Sequence, residues 1–199
     1  MTVFGSPAGP SQETRVVHHR LRVILSVCAV LCVCCAGSWV EDGKPAPDNA
    51  WAKTDGELAV QLVLTTRPDE LIAQWAKPGP VSLLNESARV VRGTPIVGLI
   101  LFSGCAPDAH GTCAATLRFS TSGPDGKPYG KPRNGELWIG KAPPPRGQMQ
   151  MGVGNIGVII EPQDSLGSFT VVAEVLDRVS RKILVLRKTF EAVEVADKK

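Results

Sequence analysis

At 199 residues, with 43% hydrophobic and 21% charged side chains, the chain has the composition of a folded protein and not of a disordered tract. Its formal charge is +3, but three of the 22 basic residues and one of the 19 acidic residues precede Gly37, so the remainder lies one charge from neutral. That balance argues against nucleic acid as a partner, because phosphate binding needs clustered, unbalanced positive charge.

Arg15, His18, His19, Arg20 and Arg22 form a basic flank ahead of the 14-residue apolar run 23–36. A run of that length suits the h-region of an export signal and falls short of the roughly 20 residues that span a bilayer. Ala36, Gly37 and Ser38 are small, so the reading is a signal peptide over 1–38, cleaved after Ala36 or Ser38. Residues 1–14 add nothing that such a signal needs. Cys28, Cys32, Cys34 and Cys35 fall inside it, preceded by Val27, Leu31, Val33 and Cys34 where lipid attachment wants Gly, Ala or Ser. A lipoprotein is therefore disfavoured. The alternative is an uncleaved inner-membrane anchor, with 23–40 as a marginal 18-residue span. The expected location is the periplasm or the medium.

Residues 39–56 are polar and rich in Pro, Asp, Lys and Gly, which predicts a flexible linker. The folded domain is expected over 57–193, with 194–199 as a charged tail. Leu58, Val60, Leu62 and Leu64 recur at every second position, the spacing of a strand face. Pro68–Trp75 predicts a short helix, with Thr66 or Arg67 at its cap, Pro68 in its first turn and Asp69 and Glu70 behind it. Leu71, Ile72 and Trp75 would share its buried face, as a lid over a sheet edge or end, and Pro78-Gly-Pro80 would stop it. Strands are predicted at 81–84, 88–92, 95–104, 113–121, 135–140, 155–161, 168–177 and 182–191. Gly- and Pro-rich turns at 92–95, 123–126, 143–145 and 162–167 separate several of them. The near-continuous apolar run Ile96–Phe102 marks a central strand, and the last two strands read as a hairpin turning at 177–181. Short strands with a single helix predict an all-β fold, an antiparallel β-sandwich.

Cys105 and Cys113 are the two cysteines beyond the leader, at the ends of a Gly/Pro/Asp loop. An even pair in an oxidising compartment predicts a disulfide, brought together by antiparallel pairing of the flanking strands. Asp108 and His110 could join the two sulfurs around a metal only if these stayed reduced, and redox thiols sit closer, as in C-x-x-C. No cofactor or metal is expected. His110, the sole histidine after the leader, has no evident nucleophile beside it. Gly152-Val-Gly-Asn-Ile-Gly157 mimics a phosphate-binding loop by composition, but no helix pattern follows it. Asp125, Glu136, Glu161, Asp164 and Asp177 could supply an acid pair, as in any chain of this size, and Glu161 and Asp164 read more simply as turn formers. Trp75 and Trp138 are candidate contacts for a ligand or partner, together with Pro143, Pro144, Pro145 and Arg146. Their competing reading is as core plugs. Asn85-Glu-Ser87 fits an N-glycosylation sequon, of use only in a eukaryotic secretory pathway.

The stretch Asp164-Ser-Leu-Gly-Ser-Phe-Thr-Val171 resembles the D-x-G-x-Y-x-C strand of immunoglobulin-like sandwiches. One extra residue separates Asp164 from Gly167, Phe169 replaces the tyrosine and Val171 replaces the cysteine, so the tyrosine corner and inter-sheet disulfide of that family are not expected. From Val91 onward, the order of a Phe-x-Gly-Cys loop, a Pro-Asp-Gly turn, a Leu-Trp strand and an Asp-x-x-Gly turn is similar to uncharacterised secreted bacterial proteins of β-sandwich type. The resemblance implies an immunoglobulin-like β-sandwich outside the cytoplasm and brings no activity. The functional expectation is a non-catalytic binding or interaction module of the bacterial cell envelope, contacting another envelope protein or a polymer. The alternatives are a carboxylate-dependent envelope hydrolase and a membrane-anchored accessory subunit.

Overall fold

The computed structural model describes residues 47–77 and 87–195, with the backbone of 40–41 and 44–45. In chain order the elements are β1 (Val40–Glu41), β2 (Lys44–Pro45), β3 (Ala52–Asp55), β4 (Leu58–Thr65), α1 (Pro68–Trp75), β5 (Arg89–Val91) and β6 (Ile96–Ser103). They continue with β7 (Ala114–Ser122), β8 (Arg133–Ile139), β9 (Gln150–Val158), β10 (Gly167–Asp177) and β11 (Lys182–Val193). β1 and β2 pair with each other, and the other strands form two sheets, ordered β3-β4-β6-β9 and β5-β11-β10-β7-β8. Over the described residues the fold is all-β with one short helix. Its ladders are antiparallel except that β5 runs parallel to β11, a departure from the purely antiparallel expectation.

The sheets share one core because both present an apolar face to it. Leu58, Val60, Leu62 and Leu64 from β4 and Ile100 and Phe102 from β6 meet Leu117, Phe119, Phe169, Val171, Val175, Leu186 and Phe190 from the other sheet. The opposite face of β6 is also buried. Leu99 and Leu101, beside Val63, pack against Leu71 and Trp75 of α1, which explains why Ile96–Phe102 has no polar face to offer water. An eight-residue helix cannot persist alone. Burial of a leucine such as Leu71 contributes about 1.5–3 kcal/mol towards holding it. The lid thus lies on a sheet face and not over an edge or end. Ile72, about 100° around the helix from Leu71, is 48% exposed and does not join the buried stripe.

Two segments depart from the sequence reading. Residues 52–55, inside the stretch read as linker, form β3 opposite 58–61. The polar residues before them are turn formers: Asn49 Oδ1 accepts the amides of Trp51 and Ala52 at 2.9 and 2.8 Å, and Asp48 Oδ1 accepts that of Thr54 at 2.9 Å. The strand expected at 155–161 begins earlier, at Gln150, where Gly152 and Gly154 had hidden it. The signal segment 1–38, the strand at 81–84, Asn85 and residues 196–199 lie outside the described residues.

Cys105 and Cys113 are bonded, with Cα atoms 5.9 Å apart and both side chains buried. The expected reason for their meeting was wrong, since β6 and β7 belong to different sheets and do not pair. The bond closes a crossover between sheets. Gly104, with φ +72°, starts this crossover against the Glu57 carbonyl, which a Cβ would overlap. Asp108 orders the loop by accepting the His110 and Thr112 amides at 2.9 Å each. The Thr112 amide is the main reason its carboxyl is held below the usual range. Buried Asp177 ties the crossover to the β10–β11 turn, accepting from the Ala106 amide (2.9 Å), the Val179 amide (3.1 Å) and the Ser180 hydroxyl (2.7 Å).

The chain-entropy model gives the cross-link, whose cysteines are separated by 8 positions, about 2–3 kcal/mol. Replacing both cysteines by alanine is expected to lower the unfolding free energy by about that amount in a urea titration, with the far-ultraviolet spectrum unchanged. An unchanged urea midpoint would contradict the staple.

Candidate functional site

β8 and β9 are the terminal strands of their sheets, and no ladder joins them. They nevertheless come close together where β9 carries two glycines. A Cβ on Gly154 would stand 2.8 Å from the Glu136 carbonyl oxygen, and one on Gly152 would overlap the Leu137 side chain. The β6–β9 register breaks at the same place, with Leu99 opposite Asn155 and Leu101 opposite Met151, so the glycines form a bulge that dips toward β8. The phosphate-loop mimic of the sequence is therefore a strand irregularity that lets two backbones approach.

Away from that contact the two edges part. Between them opens a groove of about 550 Å³, lined by Lys131 and Arg133 on one side and by Ile156, Val158, Ile159 and Glu161 on the other. Arg133 stands opposite Phe119 in the β7–β8 ladder, on the face that is core elsewhere in this sheet. Its exposure follows from the retreat of the opposing edge. Neither Lys131 nor Arg133 has a carboxylate within ion-pair distance among the described residues. Thr121, 6% exposed, contributes to the groove wall, and its buried hydroxyl has no hydrogen-bond partner.

Tyr129 forms the ridge between this groove and a second depression of about 280 Å³ lined by Pro124, Lys127, Asp164 and Phe169. The Pro124-Asp-Gly126 turn positions it. Gly126 adopts φ +77°, Asp125 Oδ1 accepts the Lys127 amide at 3.0 Å, and the Tyr129 amide returns to the Thr121 carbonyl at 2.7 Å. The ring meets Phe169 edge-on at 5.1 Å, and Phe169 stacks on Phe190 at 5.5 Å. The hydroxyl approaches Asp164 Oδ2 at 2.5 Å and the Ile159 carbonyl at 2.7 Å. A phenol has one proton, so these acceptors share it, and the shorter contact goes to the charged one. Asp164 Oδ2 also accepts the Glu161 amide at 2.9 Å, and Arg92 donates to the Pro162 and Asp164 carbonyls at 2.7 and 2.8 Å.

Burial first, and then the Asp164 carboxylate, push the Tyr129 phenol up to about 12. The Tyr129 hydroxyl in turn holds the Asp164 carboxyl below the usual range, helped by the Glu161 amide and by Arg92. A phenol kept protonated and a carboxylate kept ionised form a clasp. The clasp fixes the 161–164 turn, which supplies Glu161 to the groove.

The residues anticipated from sequence lie elsewhere. Trp138 packs its ring 5.3 Å from that of Phe102, donates from Nε1 to the Ala142 carbonyl at 2.9 Å and lies under Lys141 Nζ at 4.4 Å. Pro144 is buried, Pro143 half-buried and Pro145 exposed, in the connection from β8 to β9 at the closed end of the seam. Arg146 pairs with Glu57, both well exposed, a pairing worth little. Trp75 belongs to the separate cluster beneath α1, so the two tryptophans serve different packing layers. Lys131, Arg133 and Thr121 were not singled out from sequence. The one usable signal was Tyr129, the single tyrosine, ahead of an Asp-x-x-Gly turn.

No protein-family model and no curated protein matches the sequence. Among solved structures the chain is similar to the alkylpurine DNA glycosylase AlkC of Pseudomonas fluorescens, at 14% identity and TM-score 0.37, over 68% of this chain and 30% of that one. It is also similar to a family 123 glycoside hydrolase from Clostridium perfringens, at 10% identity and TM-score 0.38, over 70% and 28%. A CARDB domain from Pyrococcus furiosus, in complex with di-metal ions, matches at 10% identity and TM-score 0.37, over 74% and 99%. The chain spans less than a third of the first two proteins. Likenesses this distant assign neither activity nor partner.

Because Tyr129 is the single tyrosine, phenolate absorbance reads the clasp directly. The native titration is expected near 12, against 10.0 for an unperturbed phenol. The clasp's contribution to stability is complete below about pH 10 and is lost as pH rises through about 12. Tyr129→Phe should remove that alkaline loss. A native titration at the unperturbed value would refute the clasp.

Proposed function

We propose that the protein is a non-catalytic binding module of the bacterial cell envelope, exported and built as an immunoglobulin-like β-sandwich. The observation that carries the reading is the open groove between β8 and β9. It combines an apolar wall with two cations and two strand edges that have no ion-pair or ladder partner there among the described residues. Such a surface suits holding a partner, another envelope protein or a polymer.

Other features support the compartment and the fold. The basic flank and apolar run ahead of Gly37 fit an export signal, and the Cys105–Cys113 bond suits an oxidising compartment. Two sheets around one core agree with the immunoglobulin-like resemblance. So does a turn held by a tyrosyl hydroxyl, although that tyrosine comes from the β7–β8 loop and not from the strand after the turn. Of the five acids considered for hydrolysis, Asp125 pairs with Lys127, Asp164 with Tyr129, and Asp177 with two amides and a hydroxyl. Those engagements give three of the five a structural role.

Fractionation combined with intact mass tests the reading. The expected species is a soluble envelope protein beginning near Gly37 or Trp39, which gains two hydrogens on reduction. A full-length chain that sediments with membranes would support an anchored subunit instead. Full-length soluble chain with free thiols would overturn the envelope location.

A further inference from the structure

We infer that the fork between β8 and β9 receives an extended segment of a partner protein, added as a strand to the free edge of β9. In this arrangement an acidic side chain of that segment pairs with Arg133 and Lys131. The inference deepens the proposal of a binding module and rests on it for the existence of a partner.

Three observations on the fork converge. First, both of its prongs are terminal strands among the described residues, where each carries a row of main-chain donors and acceptors with no ladder partner on that side. An added strand satisfies such groups. An acyl chain would fill the apolar space and leave them unmet. Second, the β9 prong presents side chains of alternating exposure. Ile156 and Val158 are turned to the core side, while Ile159 is 44% exposed just beyond them. An extended chain alongside would place every second side chain on this apolar wall. Third, the wall of the groove on the β8 side is lined by cations, Arg133 at the start of β8 and Lys131 just before it. Lys131 and Arg133 reach the groove without a carboxylate partner among the described residues, and Glu161 on the far wall is beyond ion-pair distance of both. An incoming Asp or Glu would supply the missing counter-charge, and the planar Arg133 guanidinium can bind it bidentately.

The fork has a fixed apex. The two backbones approach at the Gly154–Glu136 contact, which leaves no room for a chain there, and the Tyr129–Asp164 clasp bounds the other end. The groove is therefore preformed, which spares an arriving segment the cost of opening it.

Panning a displayed library of random linear peptides against the protein, purified as the cell processes it, supplies the probes. Enriched sequences are expected to alternate apolar residues and to carry at least one Asp or Glu. Their synthetic forms should bind about tenfold or more weakly to K131E/R133E, and equally well to R89E, which changes a cation on β5. Bound peptide should slow amide exchange at the β9 edge around Gly157 and Val158, and methylating alternate peptide amides should abolish binding. Failure to enrich any sequence would overturn the inference. So would enriched peptides that bind the double variant unchanged, or that leave β9 exchange unaltered. Capture of an envelope partner undiminished in the double variant would retain the binding-module reading and refute the fork. Peptide binding at the fork by a protein found outside the envelope would do the reverse.

Discussion

The approach of β9 to β8 at Gly154 is the constraint on which the other features depend. A backbone carbonyl, Glu136 O, stands where a side chain on residue 154 would begin, and backbone cannot yield as a side-chain tip can. The contact brings the edges of two sheets together without a ladder, so the edges lie close toward the β8–β9 connection and part beyond it, at the groove. The apolar core is closed at one end, and a groove faces solvent at the other.

The two ends of the molecule are built from different materials. At the closed end, a covalent bond closes the β6–β7 crossover and a buried carboxylate ties it to the β10–β11 turn. Trp138 fills space against Phe102 there, and the proline segment runs beside it. At the groove end, the ties are hydrogen bonds from Tyr129 and Arg92 to one turn. Loops on a rigid scaffold are the usual seat of binding. Here the staple lies at one end of the scaffold, and the open groove lies at the other.

Much of the fold was legible in the sequence because local pattern and tertiary demand agreed. The alternation in 58–64, the Pro68–Trp75 helix and the strands around 114–122, 167–177 and 182–193 follow from period and turn chemistry. Sheet membership was not legible. Cys105 and Cys113 bound a short loop that reads as a hairpin, and period alone cannot tell a hairpin from a crossover between sheets. β3 was hidden because Asp48 and Asn49 read as linker until their side chains are seen to accept amides. The groove was illegible for a related reason. Lys131 and Arg133 are ordinary surface cations by composition, and their significance comes from an opposing strand edge about twenty-five residues later. Tryptophans drew attention by size, and size is also what a core requires.

The most direct test compares two glycines of one strand, Gly154 and Gly157, by replacing each with alanine. A Cβ at Gly157 would meet nothing within 4 Å, whereas one at Gly154 would meet the Glu136 carbonyl at 2.8 Å. If that contact sets the seam, Gly154→Ala will destabilise the protein by about 1–3 kcal/mol more than Gly157→Ala in matched urea titrations. Equal effects of the two substitutions would mean that the seam is not pinned there, and would contradict the account of both the fold and its groove.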